Sequence, residues 1–296
     1  MKLPLKLWYL LEYALALTAL GIVSVTPLPV VLACARGVGW LIYHGWGLRR
    51  RIAVDNLLQS GVCATPAAAR HLARLAFQNF AVMIAETIVA RRRLRPDNWH
   101  RHVRLNLSAE AQALFEKPGQ GLIVASAHLG NWEVVARAAA TIKPLFVVYR
   151  PFSNPYLERA THAGRATGNL RFVSRNERSP MRFFEALTRG EIVALMIDQN
   201  VLSDRVQVDF LGRPAWTTKA VAMMHLTTRV PLLAAFAIRT GPLQYEVRAV
   251  GPIVCARTGD RGKDTFEITQ ALTCEIEKVV REFPEQYLWG HRRWDP

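Results

Sequence analysis

The chain is poor in the residues that build covalently stapled or metal-stapled folds. Its 296 residues include four cysteines, Cys34, Cys63, Cys255 and Cys274, widely separated and forming no CxxC pair. Neither a zinc site nor a disulfide scaffold is therefore expected, and the cysteines read as ordinary thiols of a reducing compartment. No HExxH pattern is present, so a zinc protease is not suggested. No serine or cysteine sits in a GxSxG-type elbow, so nothing points to a covalent acyl-enzyme. Internal repeats and low-complexity linkers are also missing. Acidic residues are scarce, 23 Asp+Glu against 38 Lys+Arg, for a formal charge of +15. That excess favours an anionic partner such as nucleic acid, a phospholipid surface or an acidic carrier protein. The basic residues are scattered and no nucleic-acid module is recognisable, so a nucleic-acid partner is not expected.

Apolar sequence is abundant, 51% of residues, enough for a packed core. Its densest block is N-terminal. From Leu7 to Thr26 the only charge is Glu12, and a helix of about 20 apolar residues can cross a bilayer. Trp8, Tyr9 and Tyr13 stand near one end, where interfacial aromatics are expected. The second apolar stretch, Leu28 to Trp46, is interrupted by Pro29, Arg36 and several glycines. It is expected to lie on the membrane surface or be buried, not to form a second span. Arg49-Arg50-Arg51 follows at once, and the positive-inside tendency places it on the cytoplasmic side. A cleaved signal peptide is the competing reading, since Lys2 and Lys6 precede the apolar block and Val31-Leu32-Ala33-Cys34 faintly resembles a lipoprotein cleavage site. The organisation expected is residues 1–47 as membrane anchor and surface segment, with 48–296 as one α/β domain.

Thr65-Pro66 is a helix start, Thr as cap and Pro at the first helical position. Leu72, Leu75, Phe80, Met83, Ile84 and Ile88 then recur at helical spacing, and Arg91-Arg92-Arg93 closes the helix with charge that suits its C-terminal dipole. A short helix is expected from Ser108 to Pro118-Gly119, then a buried strand over Leu122 to Ala125. Further strands are expected over Leu145 to Tyr149, Ile192 to Ile197, Leu232 to Ile238 and Tyr245 to Val250. Helices are expected over Met181 to Arg189, Thr218 to Thr228 and Asp264 to Phe283. This alternation predicts an α/β domain with a largely parallel sheet flanked by helices.

The segment Ser126-Ala127-His128-Leu129-Gly130-Asn131-Trp132-Glu133 lies where the first buried strand gives way to a helix. Reactive groups collect there in α/β sheets. On one continuous helix His128 and Glu133 would stand about 140° apart, five steps of roughly 100°, and could not meet. With His128 on the turn and Asn131 as helix cap, Glu133 enters the first turn and can reach back to the imidazole. A carboxylate so placed fixes the ring tautomer and leaves the histidine as a general base. Backbone N–H groups near Gly130 and Asn131 would meet an oxyanion at the helix start. The spacing alone is common, because a histidine at a strand end is more often a plain turn residue, so other segments have to decide.

Those segments are Tyr149-Arg150-Pro151-Phe152-Ser153-Asn154-Pro155, Gly164-Arg165, Asp198-Gln199-Asn200, Phe210-Leu211-Gly212-Arg213-Pro214-Ala215 and the run from Pro284 to Trp294. In this order, after the HxxxxE core, they resemble the lipid A biosynthesis (late) acyltransferase family, lauroyl and myristoyl transferases that finish the lipid anchor of lipopolysaccharide. The resemblance implies a fold similar to that of the glycerolipid acyltransferases and a site at the cytoplasmic face of the bacterial inner membrane. It implies acyl carrier protein or acyl-coenzyme A as donor and a lipid A precursor as acceptor, with no metal and no cofactor. Carried over, the catalytic pair falls on His128 and Glu133, the essential arginine on Arg165 and the essential aspartate on Asp198. Asn131, Arg150 and Gln199 are the expected substrate-binding residues, the arginines suiting phosphate. Gln199-Asn200 replaces the commoner His-Asp or Gln-Asp, and Leu211 stands where a second Phe is usual. Relatives that acylate other glycolipids, mannosylated phosphoinositides among them, share the His/acid motif, so the acceptor stays open. A non-catalytic lipid-binding protein would explain the anchor but not the set of polar residues.

Overall fold

A computed structural model describes residues 3–149, 151–165, 168–174 and 181–294. The N-terminal part is helical: α1 (Leu3–Val25), α2 (Leu28–Gly45), α3 (Gly47–Gln59) and α4 (Pro66–Arg93). Then come β1 (Val103–Leu107), α5 (Ala109–Glu116), β2 (Leu122–Ser126), α6 (Trp132–Ile142), β3 (Leu145–Tyr149), α7 (Pro155–Arg165) and β4 (Leu170–Ser174). The chain continues through α8 (Met181–Thr188), β5 (Ile192–Met196), β6 (Arg205–Phe210), β7 (Arg213–Thr218) and α9 (Ala220–Thr228). It closes with β8 (Leu232–Gly241), β9 (Gln244–Val250) and α10 (Arg261–Glu282).

Local chemistry starts several of these elements where the sequence predicts. Thr65 Oγ1 accepts the Ala68 N–H at 3.2 Å with Pro66 opening α4, and Ser108 Oγ accepts the Ala111 N–H at 3.2 Å ahead of α5. Each cap satisfies a backbone donor that the first helical turn leaves without an intrahelical acceptor. Seven strands form one sheet in the order β1-β9-β8-β2-β5-β3-β4. Every neighbouring pair is parallel except β8 and β9, which form an antiparallel hairpin. The sheet is mixed and mostly parallel, flanked by helices. Both faces of its central strands are covered, which is why β2 and β5 read as unbroken apolar runs.

Other elements had no clear signal. The strands β1 and β4 and the helix α3 lie in weakly periodic sequence, and α7 in a short, polar one. The hairpin β6–β7 turns through Leu211 and Gly212, at φ 56° and 75°. A two-residue turn of this hand suits the twist of the paired strands but strains Leu211, a side chain where glycine or asparagine is usual. Leu211 is tied down by its N–H, which donates to Glu277 on α10 at 2.7 Å.

Three described helices, α1, α2 and α4, are long and apolar enough to cross a membrane. They are packed differently. Leu7, Leu11, Leu15 and Ile22 of α1 are exposed, and its one acidic residue, Glu12, accepts hydrogen bonds from Trp8 Nε1 at 2.7 Å and from Asn154 Nδ2 at 2.9 Å. On α2, Val31, Leu32 and Ala35 pack against Val82, Ala85 and Val89 of α4, while Val30, Val38 and Leu41 face outward. The two helices cross so closely at Gly39 that a Cβ there would lie 2.5 Å from the Gln78 Cα.

A buried carboxylate ties α4 to the sheet. Glu86 is fully buried and accepts from Arg239 Nε at 3.0 Å, Arg239 Nη2 at 2.8 Å, the Leu243 N–H at 3.0 Å and the Tyr245 hydroxyl at 2.7 Å. All of these donors come from the β8–β9 hairpin. So complete a donor set offsets the cost of removing a charge from water, and removing one partner leaves the other charge buried and uncompensated. Glu86→Gln is expected to lose about 3–5 kcal/mol of stability, read from denaturant unfolding in detergent. A loss below about 1 kcal/mol, the range of an exposed ion pair, would show that the network does not join helix to sheet.

Candidate active site

The parallel register of β2 and β5 pairs Ser126 with Met196, and the Ile197 N–H continues the ladder to the Ser126 carbonyl at 3.0 Å. Residues just beyond the strand ends are therefore neighbours across the sheet edge. His128 and Asp198 stand there. The Asp198 carboxylate accepts the His128 backbone N–H at 2.9 Å through Oδ2, and its Oδ1 lies 2.8 Å from the ring Nδ1. Asp198 is almost fully buried, while the His128 side chain keeps 22% of its surface exposed.

Burial pushes the Asp198 carboxyl up. The charge and hydrogen bonds of His128, with Arg293 behind, outweigh it and hold the group below its ordinary value. An ionised carboxylate only accepts, so Nδ1 carries a proton, and in the neutral ring the lone pair is then on Nε2. Gln199 Nε2 lies 3.4 Å from that Nε2, and Trp132 packs edge-on to the ring, centroids 5.1 Å apart.

This geometry corrects the expectation that Glu133 fixes the ring. Glu133 does enter the first turn of α6 and lines the same cavity as His128, but the carboxylate on Nδ1 belongs to Asp198. Gly130 is also corrected, since its N–H donates to the Gln286 carbonyl at 3.1 Å and is engaged within the fold. Gly130 sits at φ 61°, and a Cβ there would fall 1.6 Å from the Ala237 carbonyl oxygen, so only glycine lets the turn lie this close to β8.

Asn131, expected among the substrate-binding residues, is fully buried. Its Oδ1 caps α6 by accepting the Val134 N–H at 3.2 Å, and its Nδ2 donates to the Met83 carbonyl on α4 at 3.2 Å. It supports the turn and is not on the cavity wall. Gln199 is on that wall. Arg165 ends α7, while Arg150 lies outside the described residues, as does the Arg165 side chain.

The C-terminal segment closes round this edge. The Leu288 N–H donates to the His128 carbonyl at 3.2 Å, and the Tyr287 hydroxyl approaches the Asp198 carbonyl at 3.5 Å. His291 Nε2 accepts the Asn200 N–H at 3.3 Å. Asn56 Nδ2 of α3 holds the carbonyls of Trp289 and His291, each at 2.9 Å. Arg293 is buried and donates to the Trp216 carbonyl and the Thr217 hydroxyl. With Trp289 and Arg293 buried, the segment packs against the rest of the fold. No periodicity in the sequence marks Asn56, Tyr287 or His291 as supports of the site.

A cavity of about 940 Å³ opens beside His128, Trp132 and Gln199 and continues beneath α6 to Leu107, Phe115 and Ile142. Beyond the polar groups at the His128 end its walls are mostly apolar, a lining suited to an aliphatic ligand. Among the described residues no three His, Cys, Asp or Glu side chains gather as they would round a metal ion.

A profile described as bacterial lipid A biosynthesis acyltransferase matches residues 4–295. The chain is 28% identical over 177 residues to the lipid A biosynthesis palmitoleoyltransferase of Escherichia coli (strain K12), an alignment covering 59% of this chain and 56% of that protein. The same figures hold for the lipid A biosynthesis acyltransferase of Shigella flexneri. Thus the chain spans little more than half the length of these two relatives. Against the lipid A biosynthesis lauroyltransferase of Escherichia coli (strain K12) it is 25% identical over 293 residues, 95% of this chain and 90% of that one.

Because its folded pKa is depressed, Asp198 contributes stability above the unfolded carboxylate value, and that contribution fades as pH falls through the folded one. Asp198→Asn should therefore be less stable than the parent at pH 7. The gap in denaturant midpoint should close as pH falls below about 4. A gap that stays constant through the acid range would remove the charge of Asp198 from the account.

Proposed function

This chain belongs to the bacterial lipid A biosynthesis acyltransferase family, and we propose that it transfers a fatty acyl group from a thioester to a hydroxyl of a lipid A precursor. The observation that carries this reading is an imidazole, its Nδ1 held by a buried carboxylate, facing a long apolar cavity. In the proposed step His128 Nε2 takes the proton of the acceptor hydroxyl as that oxygen bonds to the thioester carbonyl carbon. The C–S bond then breaks, and the sulfur leaves with a proton returned from the imidazolium. Asp198 keeps the ring in the required tautomer and stabilises its charged form. The acyl chain lies beneath α6, where burial of each methylene contributes about 0.8 kcal/mol.

Gln199, beside Nε2, binds the reacting groups in this reading, and Glu133 acts from the cavity wall. Arg165 and Arg150 bind phosphate, a role for which a planar guanidinium fork is suited. The donor is acyl carrier protein or acyl-coenzyme A, and the excess of basic residues suits an acidic carrier. Residues 1–47 anchor the chain, with α1 as a single span of the inner membrane. Residues 48–296 form a glycerolipid-acyltransferase-like domain on the cytoplasmic side. The outward apolar side chains of α1 and α2 support the membrane placement.

Purified full-length protein given mixed acyl donors and an underacylated lipid A precursor should add one acyl mass to that precursor, read by mass spectrometry. A gain only on phospholipid would reassign the acceptor, and no gain on any lipid would sink the reading. His128→Ala and Asp198→Asn should each lower kcat by about 10³-fold or more, as loss of a tautomer-holding acid does in a catalytic triad. Glu133→Gln should cost less than Asp198→Asn, and the reverse order would return the ring to Glu133.

A further inference from the structure

Asn200 lies just beyond the Asp198 loop and lines the cavity beside Gln199. Its Oδ1 is buried and meets no hydrogen-bond donor, and among the described residues Asn200 is the only one lining the cavity that has such an atom. Folded proteins seldom bury a polar atom this way, because the group gives up its water and gains nothing in return.

The position is also firmly held. The Asn200 N–H donates to His291 Nε2 at 3.3 Å, and the His291 carbonyl is held by Asn56 Nδ2 at 2.9 Å. As an acceptor at Nε2 that ring is neutral, and burial lowers its pKa in keeping with this. A side chain on so fixed a backbone and without an internal partner is placed ready for a ligand.

Building on the acyl-transfer reading, we propose that Asn200 is a substrate-binding residue that hydrogen-bonds a neutral amide or hydroxyl group close to the reacting atoms. The unmet atom is an acceptor, so it calls for a donor such as a secondary amide N–H or a hydroxyl and would repel an unprotonated phosphate oxygen. Two substrates carry such groups: the pantetheine arm of the thioester donor has amides, and the sugar lipid acceptor has amides and hydroxyls. Both would reach the polar end of the cavity, where the acyl chain begins.

The test is steady-state kinetics of full-length Asn200→Ala in detergent, varying donor and acceptor separately, with thermal unfolding alongside. KM for one of the two should rise about five- to tenfold, the worth of one hydrogen bond, with kcat kept within about twofold. A rise for the donor assigns the pantetheine arm, and a rise for the acceptor assigns the sugar lipid. The melting temperature should not fall, because the substitution removes no internal hydrogen bond. Both KM values unchanged, or a variant that melts several degrees lower or does not fold, would overturn the proposal. A parent protein that transfers no acyl group would instead defeat the acyl-transfer reading. In that case binding of a non-reactive acyl-coenzyme A thioether, and of the underacylated precursor, to parent and variant still decides the role of Asn200: weaker binding of either by the variant upholds it, and equal binding of both overturns it.

Discussion

The site depends on one register, that of β2 beside β5. Pairing Ser126 with Met196 brings the next residues of both strands to the same edge, and the Asp198 carboxylate then grips His128 at both its backbone and its ring. A one-residue slip would turn every side chain of the strand to the other face and separate the two. Strong ladder bonds and two covered faces make such a slip costly, so the geometry of the His128–Asp198 pair is inherited from the core of the sheet.

Around that pair the protein uses polar side chains to immobilise backbone. Asn131 joins the His128 turn to α4, Glu86 joins α4 to the β8–β9 hairpin, and Gln286 bonds both the N–H and the carbonyl of Arg239 on β8. The Tyr245 hydroxyl belongs to the same group, and burial with the neighbouring Glu86 carboxylate pushes its pKa well up, so it stays a donor. Buried networks of this kind are favourable only when their members are satisfied, and here each named carboxylate and amide has its partners. The His128 turn is thereby held from α4, from β8 and from the C-terminal segment at once. In the proposed function, such support from several directions is what a precisely placed base requires.

The first helix and the cavity meet in the same region. Asn154 at the head of α7 donates to the Tyr9 carbonyl and to Glu12, both at 2.9 Å, and nearby Phe152 lines the cavity. Glu12, the one carboxylate of α1, is therefore matched by a polar contact from the folded domain. In the proposed function this contact keeps the cavity mouth against the bilayer, where a lipid acceptor and an acyl product both reside.

From the sequence alone came the helices with strong caps or a clear apolar face, the buried strands, and the apolar N-terminal block. Those features depend on interactions between residues near one another in the chain, which composition and spacing record. The histidine was legible because it stood at a strand end, and Asp198, Gln199 and the arginines came from the resemblance. Tertiary structure alone decided which carboxylate holds the ring. Glu133 is close in sequence and Asp198 is 70 residues away, and nothing in local spacing tells that β5 lies beside β2. The same limit hid the C-terminal segment behind the site and the role of Glu86. Each acts through partners brought close by strand order and helix packing, which are properties of the whole fold and not of any short stretch of chain.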